Sequence, residues 1–492
     1  YKLSPFLWRK IRRGDKRMHR KDDLLHALQA YAESDFYPFH MPGHKRNTAL
    51  LPDALPYPLD ITEIDGFDNL HAPEGILKEL NNRLAALYKS PASFALVNGS
   101  TVGILAGMRA AAAPESAVLV ARNVHRSVCN ALELLRLKPV WLSPKADPET
   151  GIAGGISAES VRQTLQAHPE VRLVVLTSPT YDGVISDIAS IVKAAHEKNV
   201  PVLLDEAHGA HLQFCGLSTF SGVSSGADIV IQSLHKTLPA LTQCAVAHIG
   251  GELISPEEFA RQVSVFETSS PSYVLLASIA ACVRLLETRG EELFAAYNAR
   301  LERFSESCNQ LKVLSVPGKG NGPASFPDQT AFDPGKLPIL TANSDIDGAA
   351  LAERLRKEFH IEPEMTAISY TLLMTSVCDT DEGFLRLETA LRAIDSTLSK
   401  RETPFCFSTL PLPRQVLTPA EAAARPKTAL PFEKALGKTA AEAVWCYPPG
   451  TPLIMPGEEI TDDLSDAVKA AKAHGLSVQS ASGSLPLLQV CN

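Results

Sequence analysis

Three short stretches carry residues whose types and spacing could do chemistry. SLHK, Ser233 to Lys236, places one lysine ahead of a small, apolar run that reads as a buried strand. An ammonium sent inward is costly unless it is paired or its amine is used. LLDEAHGAH sets Asp205 at the close of the apolar run VPVLL, thirty-one positions before Lys236 (236 − 205). A carboxylate there can cap a loop, bind a metal or hold a protonated nitrogen. NGST, Asn98 to Thr101, lies between FALV and a helix of small residues. Gly99 permits a tight turn, and the Ser100 and Thr101 hydroxyls with helix-initial N–H groups make an anion cradle suited to a phosphate. Singly, each has a plain structural reading: a helix cap for NGST, a solvated loop charge for Lys236. Together, a phosphate cradle, a carboxylate for a pyridinium nitrogen and an amine for a Schiff base are the parts that hold pyridoxal phosphate. Burial makes a lysine amine nucleophilic, as imine formation requires. His208 and His211 lack an obvious third ligand, so no metal site is expected.

The elements that must position these residues are legible as well. From about residue 90 to 250, apolar runs (AVLVA, KPVWL, RLVVLTS, VPVLLD, DIVIQS, AVAHI) alternate with amphipathic stretches. In 186–199, Ile188, Ile191, Val192 and Ala195 fall on one helical face. This predicts an α/β fold with a mainly parallel sheet and helices on both faces. Ligands in such folds sit beyond the carboxyl ends of the strands, where all three motifs lie. The expected organisation is a basic, mobile leader over 1–21, an amino-terminal segment and interface loop over 22–90, and a cofactor-binding large domain over 91–315. A small α/β domain over 338–400 and a carboxyl-terminal domain over 401–492 follow. In the last, KTAAEAVWCYPPGTPLIMPGEEIT reads as a Pro-rich segment with helical flanks.

Composition bounds the function. The 492 residues are 45% hydrophobic and 21% charged, with a formal charge of −8 that speaks against a nucleic-acid partner. No apolar run reaches the roughly 18 residues of a membrane span. Nine cysteines without a CxxC, three of them (Cys244, Cys282, Cys406) in apolar settings, point to reduced thiols and a cytoplasmic setting.

In chain order HMPGHKR (40–46), NGST, RNVHRS (122–127), TYDG (180–183), DEAHGAH, SLHK and CYPPGTPLIMPGEE resemble the pyridoxal-phosphate-dependent Orn/Lys/Arg decarboxylases. These are fold type I enzymes, and the likeness is to their short form without an amino-terminal wing domain. The resemblance implies an aspartate-aminotransferase-like large domain, and decarboxylation of arginine, lysine or ornithine to an amine that feeds polyamine synthesis or acid resistance. It implies that Lys236 bonds to the cofactor, Asp205 pairs with the pyridine nitrogen, and His125 stacks on the ring. Ser100, Thr101, Ser233 and His235 would hold the phosphate, with Ala207 and His208 near the ring. Thr268 or Ser269, in FETSSPSY, would reach the phosphate of a second subunit, implying a homodimer with shared sites. His235 and Lys236 are the candidate proton donors.

A basic substrate needs an acidic partner for its distal cation. Glu364 in IEPEMT matches a substrate-side family position, while Asp60, Glu63, Asp65 and Asp68 in DITEIDGFD offer a second group, of which Glu63 and Asp65 are the candidates kept. The alternative is a fold type I aminotransferase. That reading lacks an arginine in the strand-like YTLLMTSV, since Arg386 falls in the helix beyond it.

Overall fold

The computed structural model describes residues 23–33, 56–318, 323, 325–402, 407, 412–447, 451–473 and 477–492. The basic leader, HMPGHKR and Cys406 lie outside these residues, as do parts of the Gly/Pro-rich stretch over 317–337 and of CYPPG.

The apolar runs become strands because their residues are buried on both sides. β1 (Ala92–Leu96), β2 (Ala117–Ala121), β3 (Lys138–Leu142) and β4 (Val171–Thr177) are followed by the short β5 (Val184–Ile185). β6 (Val202–Asp205), β7 (Ile229–Ser233) and β8 (Ala245–Ile249) complete the series. All but β5 form one sheet in the order β1-β8-β7-β6-β4-β2-β3. β8 is antiparallel to β1 and β7, and the other neighbours are parallel. The mainly parallel α/β expectation holds, with one reversed strand.

Helices cover the sheet. α1 (Leu24–Ala32) and α2 (Ile76–Tyr88) precede it; α3 (Gly99–Ala111), α4 (Arg126–Leu134), α5 (Ala158–Ala167) and α6 (Ile188–His196) alternate with its strands. On α6, Ile188, Ile191, Val192 and Ala195 are buried as their spacing requires. The small residues of α3 have a packing cause. A Cβ at Gly103 would stand 2.9 Å from the Ile231 side chain, and one at Gly107 2.7 Å from Leu203, so this helix rests directly on the sheet. The one-turn α7 (Leu234–Thr237), α8 (Pro256–Phe266) and α9 (Tyr273–Cys308) follow. α9 runs for 36 residues, well past the apolar pattern that marks its start.

Beyond α9, β9 (Ala331–Phe332) pairs with β5, directly after TYDG. β10 (Lys336–Leu340), α10 (Gly348–Phe359), β11 (Met365–Thr366), β12 (Tyr370–Met374) and α11 (Asp381–Asp395) then build a small antiparallel sheet, β10-β12-β11, with two helices. The last part holds α12 (Pro419–Ala424), β13 (Lys427–Pro431), β14 (Val444–Tyr447), β15 (Thr451–Ile454) and α13 (Asp462–Ala473). β16 (Ser477–Ser480), β17 (Gly483–Ser484) and β18 (Leu487–Cys491) close it. Here the expectation of helical flanks is half right. α13 follows the Pro-rich segment, but the Ala-rich stretch before it enters β14, a central strand paired with β15 and β16. Val444 is fully buried there, and tertiary pairing overrides helix propensity.

Two motifs from opposite ends of the chain meet. Arg122 of RNVHRS donates to both carboxylate oxygens of the buried Glu458, at 2.7 and 2.8 Å, and its guanidinium lies 4.8 Å from the Trp141 ring. A bidentate pair of this kind fixes orientation as well as proximity.

Candidate active site

The carboxyl ends of β1, β2, β4, β6 and β7 open onto one cleft of about 690 Å³. Because β8 is reversed, its start also lies at this edge, with Ala245 opposite both Leu96 and Ser233. Thr242 and Gln243 therefore join the lining.

The NGST turn forms the first part of the floor. Gly99 has φ +74°, a left-handed conformation that favours glycine, and its N–H donates to the Gln243 carbonyl at 3.0 Å. Asn98 makes no side-chain capping bond to α3, so the motif is not a simple helix cap. Ser100 Oγ lies 2.5 Å from Ser233 Oγ, which joins the ends of β1 and β7. Glu267 of FETSSPSY braces the turn from behind, with its Oε1 accepting from the Val97 and Asn98 N–H groups at 2.7 and 3.0 Å.

Asp205, 3% exposed, closes β6, and its Oδ1 accepts from the Ala207 N–H at 3.2 Å. His125 caps α4 through Nδ1, which accepts from the Ser127 N–H at 3.2 Å, so its proton sits on Nε2. Burial holds the His125 ring below the ordinary imidazole range. His235 Nδ1 lies 3.0 Å from the Cys244 carbonyl and donates to it; burial lowers this ring's pKa too.

Lys236 sits on α7, one turn beyond the end of β7. Burial lowers its pKa, against the opposing pull of Asp205 and Glu364, so its amine loses a proton more readily than a solvated lysine. Its Nζ lies 3.1 Å from His208 Nε2. The other nitrogen of His208 lies 2.6 Å from Nζ of Lys336, at the start of β10. Burial, then the two lysines, push His208 well below the ordinary imidazole value, so the ring is neutral.

The wall opposite comes from the small sheet and the TYDG loop. Glu364 and Met374 line the cleft, and the Tyr181 hydroxyl donates to Glu364. The Asp182 carboxyl accepts from the Tyr370 hydroxyl at 2.6 Å. A Cβ at Gly183 would stand 2.8 Å from Cβ of Lys336, so the glycine of TYDG makes room for the lysine stem.

Ser100, Thr101, His125, Asp205, Ala207, His208, Ser233, His235, Lys236 and Glu364 all line this cleft. Thr268, Glu63 and Asp65 do not line it in the single chain. The Thr268 carbonyl accepts from His71 Nε2 at 2.8 Å. Asp68 is occupied structurally, its carboxylate accepting from the Glu74, Gly75 and Leu77 N–H groups ahead of and within α2. Arg386 lies on exposed α11, 3.4 Å from Glu382, and among the described residues no arginine lines the cleft. Sequence reasoning missed Lys336. The signal available was a charged residue opening the buried run KLPIL.

The cleft is built for a polar ligand. Besides the turn and the Asp205 carboxylate, Asn123 Oδ1 and Thr177 Oγ1 are buried at its lining with no hydrogen-bond partner among the described residues. A phosphorylated pyridine aldehyde fits this donor set.

The family comparison decides the lineage. The model of the Orn/Lys/Arg decarboxylase major domain matches residues 23–315, and that of the Orn/Lys/Arg decarboxylase C-terminal domain matches 400–475. The chain belongs to the Orn/Lys/Arg decarboxylase family. It is 31% identical to an arginine decarboxylase of Bacillus subtilis and 30% identical to one of Bacillus anthracis, over 93% of this chain and 94% of each relative. In fold it is similar to the crystal structure of a Francisella novicida lysine decarboxylase (TM-score 0.80, 20% identity, 96% of this chain and 81% of that one). Family membership accounts for the fold type I architecture, and it places this member with the decarboxylases rather than the aminotransferases that share the fold. Among the described residues no helix is long and apolar enough to cross a membrane.

Proposed function

We propose that this chain removes the α-carboxylate of a basic amino acid as CO₂, using pyridoxal phosphate, and that arginine is its preferred substrate. The observation that carries the reading is the convergence of Lys236, Asp205 and the NGST turn on one cleft. The choice of arginine rests on the names of the two Bacillus relatives.

When bound, pyridoxal phosphate supplies an electron sink for the pair left at Cα as CO₂ departs. The first turn of α3 with Ser100, Thr101, Ser233 and His235 would hold the phosphate. Asp205 would keep the ring nitrogen protonated, while His125 would stack on the ring and Ala207 and His208 would pack near it. Lys236 would hold the aldehyde carbon covalently and be freed by the incoming amine. Glu364, oriented by Tyr181, would pair with the distal cation of the substrate; a carboxylate matches the planar fork of a guanidinium with two parallel bonds. His235 and Lys236 would be the candidates to return a proton to Cα. Thr268, held at the end of the segment that Glu267 anchors, would face the phosphate of a second subunit in a cytoplasmic homodimer.

The test is CO₂ release by the purified protein with pyridoxal phosphate and, separately, arginine, lysine and ornithine. Release from arginine with agmatine as product is expected. Release only from lysine or ornithine overturns the substrate, and release from none of the three overturns the reaction.

A further inference from the structure

Lys236 must give up a proton before its amine can attack an aldehyde, and must take one back when displaced. The surroundings of His208 show where that proton can reside. His208 is 5% exposed and Lys336 2%, and the imidazole bridges the two lysine amines through its two ring nitrogens, at 3.1 and 2.6 Å. A neutral imidazole has one N–H and one lone pair, so it can serve both contacts in only two ways. In the first, ammonium Lys336 donates to Nδ1 while Nε2–H donates to the neutral amine of Lys236. In the second, ammonium Lys236 donates to Nε2 while Nδ1–H donates to neutral Lys336. They interconvert when one Nζ–H bond of Lys336 breaks as Nδ1–H forms, and Nε2–H breaks as a new Nζ–H bond of Lys236 forms. No atom is lost, and the summed charge of the three groups stays at one.

We propose that Lys336 is a positioning residue that, through His208, stores the proton Lys236 releases and returns it. This rests on the reading of Lys236 as the cofactor-binding amine. The charged groups around the triad suit such an exchange. Lys336 faces the carboxyl groups of Asp333 and Asp182, with Glu364 beyond, and lies 5.5 Å from the Tyr181 ring. Asp333 is in turn held by His211 at 3.1 Å and by the Gly335 N–H at 2.9 Å. Lys236 faces Asp205 and Glu364, and the rings of His125 and His235 feel its charge. Burial, partly offset by Asp333, brings Lys336 down to about 8, within reach of exchange near neutrality. A lysine that merely filled space at the start of β10 would not need the contact to Nδ1.

The experiment reads the Lys236 amine without cofactor. Cofactor-free protein is labelled competitively with trace acetic anhydride across neutral to alkaline pH, and the Lys236 peptide is quantified by mass spectrometry. Lys336→Met removes the storage site, so the Lys236 profile moves to higher pH by about one unit, a tenfold loss of labelling at neutrality. Lys336→Arg keeps a permanent cationic donor on His208, so the profile stays at or below the wild-type pH. Because guanidinium does not release its proton, turnover of the reconstituted Lys336→Arg enzyme falls at least tenfold. Superimposable profiles for all three chains overturn the relay, and so does full turnover by Lys336→Arg. If Lys336→Met fails to fold by circular dichroism, Lys336→Gln, which also removes the cation, replaces it with the same expected alkaline shift, and an unshifted profile overturns the proposal. A wild-type protein that never attaches pyridoxal phosphate at Lys236 overturns the cofactor reading instead, a failure visible separately from the labelling profile.

Discussion

The floor and the wall of the cleft are built by opposite means. Asn98–Thr101, Asp205 and Ser233–Lys236 stand at the ends of strands whose interiors are buried, so main-chain ladders set their positions. Glu364, Lys336 and Tyr181 come from separate segments; Lys336 and Glu364 are tied by their backbones to β12, but the polar ends of the three are oriented by reciprocal side chains: Tyr181 with Glu364, Tyr370 with Asp182, His208 with Lys336. A floor held by backbone hydrogen bonds keeps its geometry when one side chain changes. A wall held by side-chain pairs shifts when either partner changes. On the proposed reading, this division would let the fold keep its cofactor chemistry constant while substrate preference changes through few substitutions.

Substitutions can break or sharpen that contrast. The largest effect is expected from Lys236→Ala, a floor residue: turnover falls by on the order of 10³-fold or more, and the visible absorbance of attached cofactor disappears. A loss under tenfold would remove the floor from the chemistry. Asp205→Asn keeps the shape and removes the charge facing the ring nitrogen, so kcat should drop by roughly 10²–10³-fold in steady-state kinetics, with the fold unchanged. In the wall, Glu364→Gln should raise KM for the basic substrate about tenfold, near 1.4 kcal/mol, with a smaller change in kcat. If kcat falls instead and KM holds, Glu364 belongs with the floor. The smallest effect concerns stability beneath the floor. Burial raises Glu206 to about 8, and its Oε2 accepts from the Gly222 N–H at 3.1 Å. Between the ordinary carboxyl value and about 8 the folded protein keeps a proton that the unfolded chain releases, so stability falls as pH rises through that window. Glu206→Gln should flatten this slope of thermal midpoint against pH, and an unchanged slope would place the titration elsewhere.

How much of this was legible in the sequence follows the same division. Floor residues sit in contiguous motifs at strand ends, so DEAHGAH and SLHK announce both the element and its place at the cleft. The α6 spacing and the alternation of strands with helices likewise locate the sheet. The wall has no such signature. Lys336 closes a Gly/Pro-rich stretch that reads as a break, and its partners His208 and Gly183 lie far away in the chain, joined only by the fold. Glu364 is visible through the family resemblance, whereas its link to Tyr181 is not. β14 is hidden for a different reason: KTAAEAVW has the composition of a helix, yet its end, from Val444, is paired on both sides as a strand.

The single reversed strand also sets a schedule. Among the described residues β1 pairs only with β8, which is the last of the seven strands to be synthesised, and Gly99 donates its N–H to the Gln243 carbonyl in the loop just before it. A nascent chain ending short of Ile249 therefore carries β1 as an unpaired edge, exposed to the wrong partners. On the proposed reading, the NGST turn that would hold the phosphate is completed only when β8 stands between β1 and β7.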